Sequence, residues 1–186
     1  MDINQLETIK SVIRTLNDSL IPKSNLSGVL EILAERLSLR RSFLLIYQEE
    51  TDKLNPEAVN NLCAADFRRL EKRAEKSLFR RVFDRREAIR VERLSLQPGL
   101  DFLEKMDTET SLILLAIKLE NMVLRVLAAE FLFREDFDFE SGELFLSVIA
   151  SLIAQVFKVE TAVSVERRRL ADENSHLRQE LKEKYD

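Results

Sequence analysis

Apolar residues fall into helical spacing at the start of the chain. Leu6, Ile9, Ile13, Leu16 and Leu20 recur every three or four positions and lay one stripe along a first helix, which Pro22 ends. Ser24 stands where it can cap a second helix carrying Leu26, Val29, Leu30, Leu33 and Leu37. The period then changes. RSFLLIYQEE (41–50) reads as a strand, Thr51-Asp52-Lys53 as a turn, and 54–59 as a second strand. Residues 64–86 return to helical spacing, and EAIRVERL (87–94) alternates as a short strand before a Pro98-Gly99 turn. SLILLAIKL (111–119) and MVLRVLAAEFLF (122–133), joined by Glu120-Asn121, form a hairpin so apolar that both of its faces need cover. A last helix starts between Asp138 and Ser141 and runs to the end. This order predicts an α+β fold: an antiparallel sheet with helices on its faces and a long C-terminal helix.

The closing stretch ERRRLADENSHLRQELKEKYD (166–186) is helical in pattern but polar, with no Gly or Pro. Placing Val163, Leu170 and Leu177 at heptad position d puts Arg167, Asn174 and Leu181 at a, and Glu166, Glu173 and Glu180 at g. That is the seam of a two-stranded coiled coil. In a parallel pair Glu173 faces Arg178 of the other strand, and one Asn at a fixes register. Val148, Leu152, Val156 and Val159 continue the stripe upstream. A parallel homodimer is therefore expected through Leu6, Ile9, Ile13 and Leu16 on the first helix and Val156, Val163, Leu170, Asn174, Leu177 and Leu181 on the last.

Composition narrows the function. The 186 residues are 45% hydrophobic and 33% charged with net charge −4, a globular balance that draws in no nucleic acid as a whole. No secretory signal or apolar run long enough to span a membrane is read from the sequence, and the one cysteine, Cys63, makes no internal disulfide. A cytoplasmic location follows as the expectation, with no membrane partner. Residues 68–93 hold eleven Lys or Arg against five acids, a local balance of +6. The signs interleave on helical spacing and Phe67, Phe79 and Phe83 suit a core, so a solvated helix face is expected rather than direct nucleic-acid contact. Catalytic and metal readings fare poorly. The only histidine, His176, is far in sequence from Cys63, the glycines Gly28, Gly99 and Gly142 are isolated, and no phosphate-binding loop occurs. No metal, cofactor or catalytic residue is assigned, Cys63 is expected to be buried and inert, and His176 to be solvated.

SLFRRVFDRREAIRVERL (77–94) resembles the helix-turn-strand centre of a GAF domain, and Ser111 to Phe133 resembles the closing hairpin of that family. FDFESGELFLSVIASLIAQVFKVE (137–160) resembles its final helix, passing into the ERRRL segment that ends ELKEKY. The match is closest to the GAF domain of NifA-like bacterial activators that work with sigma-54 RNA polymerase, and it covers roughly residues 24–186. Ser77 and Arg80 replace glycines common in the central segment, so the binding-loop shape typical of the family is not assumed here.

The resemblance implies a non-enzymatic sensor domain that governs the AAA+ ATPase of the same full-length protein, in transcriptional and nitrogen-fixation control. Residues 1–158 would form the sensor and its N-terminal dimerisation helix. Residues 159–186 would form a signalling coil leading to an ATPase domain absent from this chain. Ligands of the family usually lie between sheet and central helices, which implies pocket candidates Phe43, Leu45, Phe79, Phe83 and Arg125. Arg125 interrupts an apolar strand, so it is expected to meet an anion such as 2-oxoglutarate or an internal carboxylate such as Glu130. The alternatives are a ligand-free structural dimerisation module, or a GAF enzyme or chromophore protein. The last two are disfavoured by the missing Cys and His.

Overall fold

The computed structural model describes residues 3–18, 25–93, 109–120 and 122–185, with side chains described for all but 160 and 180–185. The expected elements on Leu20, Pro22, Ser24, Pro98-Gly99 and Asn121 lie outside the described residues, as do the side chains of Glu180 and Leu181. Two helices come first, α1 (Ile3–Asn17) and α2 (Leu26–Leu37), then strands β1 (Arg41–Gln48) and β2 (Lys53–Asn60). Helices α3 (Ala64–Arg73) and α4 (Leu78–Arg85) follow, separated by a 3-10 turn over Ala74–Lys76. The remainder is β3 (Ile89–Val91), β4 (Thr110–Leu119), β5 (Met122–Leu132) and α5 (Phe139–Tyr185). The sheet is antiparallel in the order β2-β1-β5-β4-β3.

Side chains alternate through this sheet into two cores. Leu44, Ile113, Leu127, Ala129 and Phe131 point to one face and pack with α1, α2 and α5. Phe43, Leu45, Leu112, Leu114, Val126 and Ala128 point to the other and pack with α3 and α4. The β4–β5 hairpin is thus covered on both faces, which is why its strands are apolar throughout.

The helical run over 64–86 breaks because Ser77 leaves the helix in extended conformation. Its Oγ donates to the Ala74 carbonyl at 2.6 Å and accepts from the Phe79 N–H at 3.2 Å, ending one helix and capping the next. Helix α5 has a similarly local start. Asp138 Oδ1 accepts from the Glu140 and Ser141 N–H groups, both at 3.1 Å. Phe137 then folds back over Gly142, where an added Cβ would sit 2.9 Å from the ring. A side chain at 142 would therefore push the Phe137 ring aside.

The stripe on α1 divides in three dimensions. Leu16 is 2% exposed and belongs to the chain's own core beside Val12 and Thr8, and Ile9 is partly buried against the same core, whereas Leu6 remains 50% exposed. Leu16 is therefore not available to a partner, which corrects the expected interface. Packing of α1 against α2 and α5 selects the Thr8, Val12 and Leu16 row, one turn apart, as the inward face.

Candidate functional site

Phe43, Leu45, Phe79 and Phe83 do come together, between the sheet and α4. The first three are fully buried, Phe43 meets Phe79 edge to face at 5.4 Å, and Phe83 packs beside them against Tyr47 at 4.4 Å. Protein side chains fill this volume. Over its rim lies Arg80, which donates from Nη1 to Asp52 Oδ1 at 3.1 Å and from Nε to Asp84 at 2.9 Å, also reaches Glu75, and stacks above the Tyr47 and Phe83 rings. Burial lowers the Arg80 pKa, but the Asp52 hydrogen bond and the Glu75 and Asp84 carboxylates outweigh it and hold the group above its ordinary value. Asp52 is held below the usual aspartate value by hydrogen bonds from Tyr47 and then Arg80. One arginine, noticed in the sequence only as a departure from glycine, thus pins α4 to the β1–β2 turn.

Arg125 is not part of that cluster. It lies on the opposite face of the sheet, as the alternation through Val126 and Leu127 requires, with its guanidinium 3.6 Å from the centroid of the Phe157 ring of α5. It does pair inside the chain, but with Glu57 rather than Glu130: Nη2 donates to Oε1 at 2.8 Å, and Nε donates to Oε2. Glu130 points the other way, where it accepts from Arg41 Nη2 at 2.9 Å, and Arg41 also donates to Asp66 at 3.3 Å. Arg41 and Glu130 are direct cross-strand neighbours, so their pairing was readable once β1 and β5 were known to be adjacent. The sequence carried no sign of that adjacency beyond two charges in apolar strands.

A cleft of about 530 Å³ opens beside Arg41, lined by Arg40, Val59, Asn61, Leu62, Cys63 and Asp66. Cys63 is exposed here, contrary to the expectation of a buried thiol, because it is the N-cap of α3 and its Sγ accepts from the Asp66 N–H at 3.4 Å. His176 is exposed. Among the described residues no group of three or more His, Cys, Asp or Glu side chains is placed to hold a metal ion. In the basic segment Arg69, Arg80, Arg90 and Arg93 have carboxylate partners and Phe79 is buried, so its ring offers no stacking platform.

The expected dimer positions lie mainly along α5. Its row Phe145, Leu146, Ile149, Ile153 and Phe157 is buried, and Leu152 and Val156 are half-buried. Past Phe157 the helix leaves the body: Val159, Val163, Leu170 and Leu177 are 45–62% exposed, and Asn174 is exposed between the two leucines. Glu166 and Arg169 pair along this surface at 2.8 Å. One 18-residue window within Phe139–Gln179, mean hydropathy 1.6, is long and apolar enough by length and composition to cross a membrane, which corrects the reading of the sequence. The buried row of that window is committed to the core of the domain, and a core helix passes the same measure.

No protein-family model and no curated protein matches the sequence. Solved structures do match the fold. The GAF domain of a phosphoenolpyruvate-protein phosphotransferase from Coxiella burnetii superposes with TM-score 0.73 at 19% identity, covering 88% of this chain and 98% of that one. The A. aeolicus nlh2 GAF domain in an inactive state gives 0.69 at 18%, covering 84% and 97%. Free methionine-R-sulfoxide reductase from Neisseria meningitidis gives 0.70 at 14%, covering 88% and 95%. At these identities the likeness speaks for architecture alone, and in architecture the chain has the fold of a GAF domain.

Proposed function

We propose that this chain is a regulatory sensor domain that pairs with a second copy of itself through α5 and passes a change in packing to an AAA+ ATPase domain of a sigma-54-dependent activator, in nitrogen regulation. The observation that carries the reading is the row Val163, Leu170 and Leu177, spaced by seven, which with Val159 one turn before it continues the apolar side of α5 into solvent. Support for the activator context is the resemblance of residues 137–186 to the helix that leads into such an ATPase. Inserting one residue between Lys158 and Leu170 turns everything downstream by about 100°, whereas a full heptad restores the phase. In the complete activator the single insertion is expected to disturb ATPase rate more than the heptad does. Equal rates would make α5 a passive tether, and ATPase activity in the isolated chain would overturn the assignment.

A second reading, a dimerisation module without a ligand, is favoured by the filled volume around Phe43, Leu45 and Phe79. An anion such as 2-oxoglutarate would have to displace Glu57 to reach Arg125. Small molecules released from native protein and identified by mass spectrometry separate the two readings: a stoichiometric ligand removes the second.

A further inference from the structure

We propose that the Arg125–Glu57 ion pair, with Phe157 laid on it, is the joint through which the sheet sets the direction of the projecting half of α5. The inference rests on the reading that α5 carries the output. Three observations meet at this joint. First, both strands are built irregularly there. In the β1–β2 register Leu44 faces Ala58 and Leu45 faces Pro56, which leaves Glu57 as the extra residue of a bulge. In the β4–β5 register Ile117 faces Arg125 and Lys118 faces Val123, which leaves Leu124, next to Arg125, as another. Bulges re-aim side chains. Here the first puts Glu57 on the same face as Ala58, toward α5, and lets it reach across β1 to β5.

Second, the pair is buried, with side chains 5% and 12% exposed for Arg125 and Glu57. Burial of charge is costly, and a well-packed apolar pair often serves stability as well or better, so stability is a weak explanation for placing charges here. The contrast with Arg41 is informative, since that arginine is held by two carboxylates, whereas Glu57 is the one carboxylate on Arg125 among the described residues. Withdrawal of Glu57 leaves a buried cation with the Phe157 ring against it and no carboxylate among the described residues, a costly state that favours movement of the surroundings.

Third, what covers the pair is the last core residue of α5. Phe157 is 7% exposed and the Arg125 guanidinium lies against its ring, while Val159, half a turn on, is already in solvent. Beside it Lys158 meets Glu120 of the β4–β5 turn at 3.6 Å, an exposed contact of little strength. Glu57 belongs to β2, an edge strand, so a shift of that edge reaches α5 through Arg125 and Phe157 without rearranging the central strands. A joint of this kind would let one edge of the sheet bias the direction of the helix, as a switch requires.

The test measures the spread of distances between spin labels on the full chain, with Cys63→Ser and labels at Glu31→Cys on α2 and Ser164→Cys on projecting α5, diluted tenfold with unlabelled protein. Glu57→Gln and Phe157→Leu are each expected to broaden the distribution about twofold, the mark of a helix sampling more than one direction. Glu130→Gln, which weakens the other buried pair, is expected to leave it unchanged. An unaltered width in Phe157→Leu, which keeps the ion pair, overturns the proposal even should Glu57→Gln fail to fold. Equal broadening by Glu130→Gln overturns it as well. Sedimentation of the unmodified chain judges the dimer separately: a monomer there sinks the functional reading, while the label widths still decide the joint.

Discussion

The two halves of α5 share one apolar period and meet opposite fates. Over residues 139–157 the row from Phe145 to Phe157 is buried against β4 and the rest of that core, and Asp138 closes the start with side-chain hydrogen bonds. Over 158–179 the apolar side chains of Val159, Val163, Leu170 and Leu177 are exposed and belong to neither core. About 28 residues at 1.5 Å each project some 40 Å, and an isolated helix of that polarity is marginal in water. Periodicity thus states which face is sticky and leaves open what sticks to it. The inner half is answered by the sheet, and the outer half calls for a partner with the same need.

Substitutions should separate the halves sharply. The largest effect is expected inside: Ile149→Ala or Leu146→Ala removes a fully buried side chain and should cost about 3 kcal/mol, read as a lower midpoint in urea unfolding. Retention of full stability would break the claim that the sheet anchors this half. Next, Leu170→Glu with Leu177→Glu should weaken the dimer by about 100-fold, or ~2.7 kcal/mol, in sedimentation equilibrium. The body should unfold as before, because both side chains are exposed within one chain. A dimer of undiminished strength would place the interface elsewhere.

Smaller effects sharpen the contrast. Asn174→Leu is expected to tighten association while relaxing register, since one polar a position gives up stability for uniqueness. Cross-linking through cysteines at Ala171 checks it: a rise of out-of-register products is expected, and a weaker dimer would contradict the seam. The smallest effect concerns the start of the inner half. The Asp138 carboxyl is held below its ordinary value by the Ser141 hydroxyl and then the Ser141 N–H. Its contribution is therefore whole above the unfolded aspartate value, near pH 3.8, and is lost as pH falls through the lowered folded value. NMR titration of the Glu140 and Ser141 amides should report that loss in the wild type and nothing comparable in Asp138→Asn.

The order of elements, the covered hairpin and the final helix were all legible, because each rests on spacing within one segment. The resemblance to GAF domains was legible for the same reason: segments 77–94 and 111–160 hold local patterns. Long-range pairing was not. Glu130 and Glu57 are both acids in strand segments, and choosing between them as the partner of Arg125 needs the parity of β5 and the bulge in β2. Pro56 was a hint of that bulge, since proline inside a strand marks an edge or an irregularity. The exposure of Cys63 was hidden because a cap position depends on where α3 begins relative to β2.

By itself the sequence determined an α+β chain with one apolar face on every helix and a polar, heptad-spaced end. Only the tertiary structure decided that Leu16 faces inward while Leu6 does not, that Arg80 closes the aromatic cluster, and that Arg125 sits under Phe157. The physical reason is one of range. Amphipathic period is fixed by backbone geometry over a few residues, whereas the partner of a buried charge is fixed by strand order and register across the whole sheet, and a single bulge is enough to change which face it reaches.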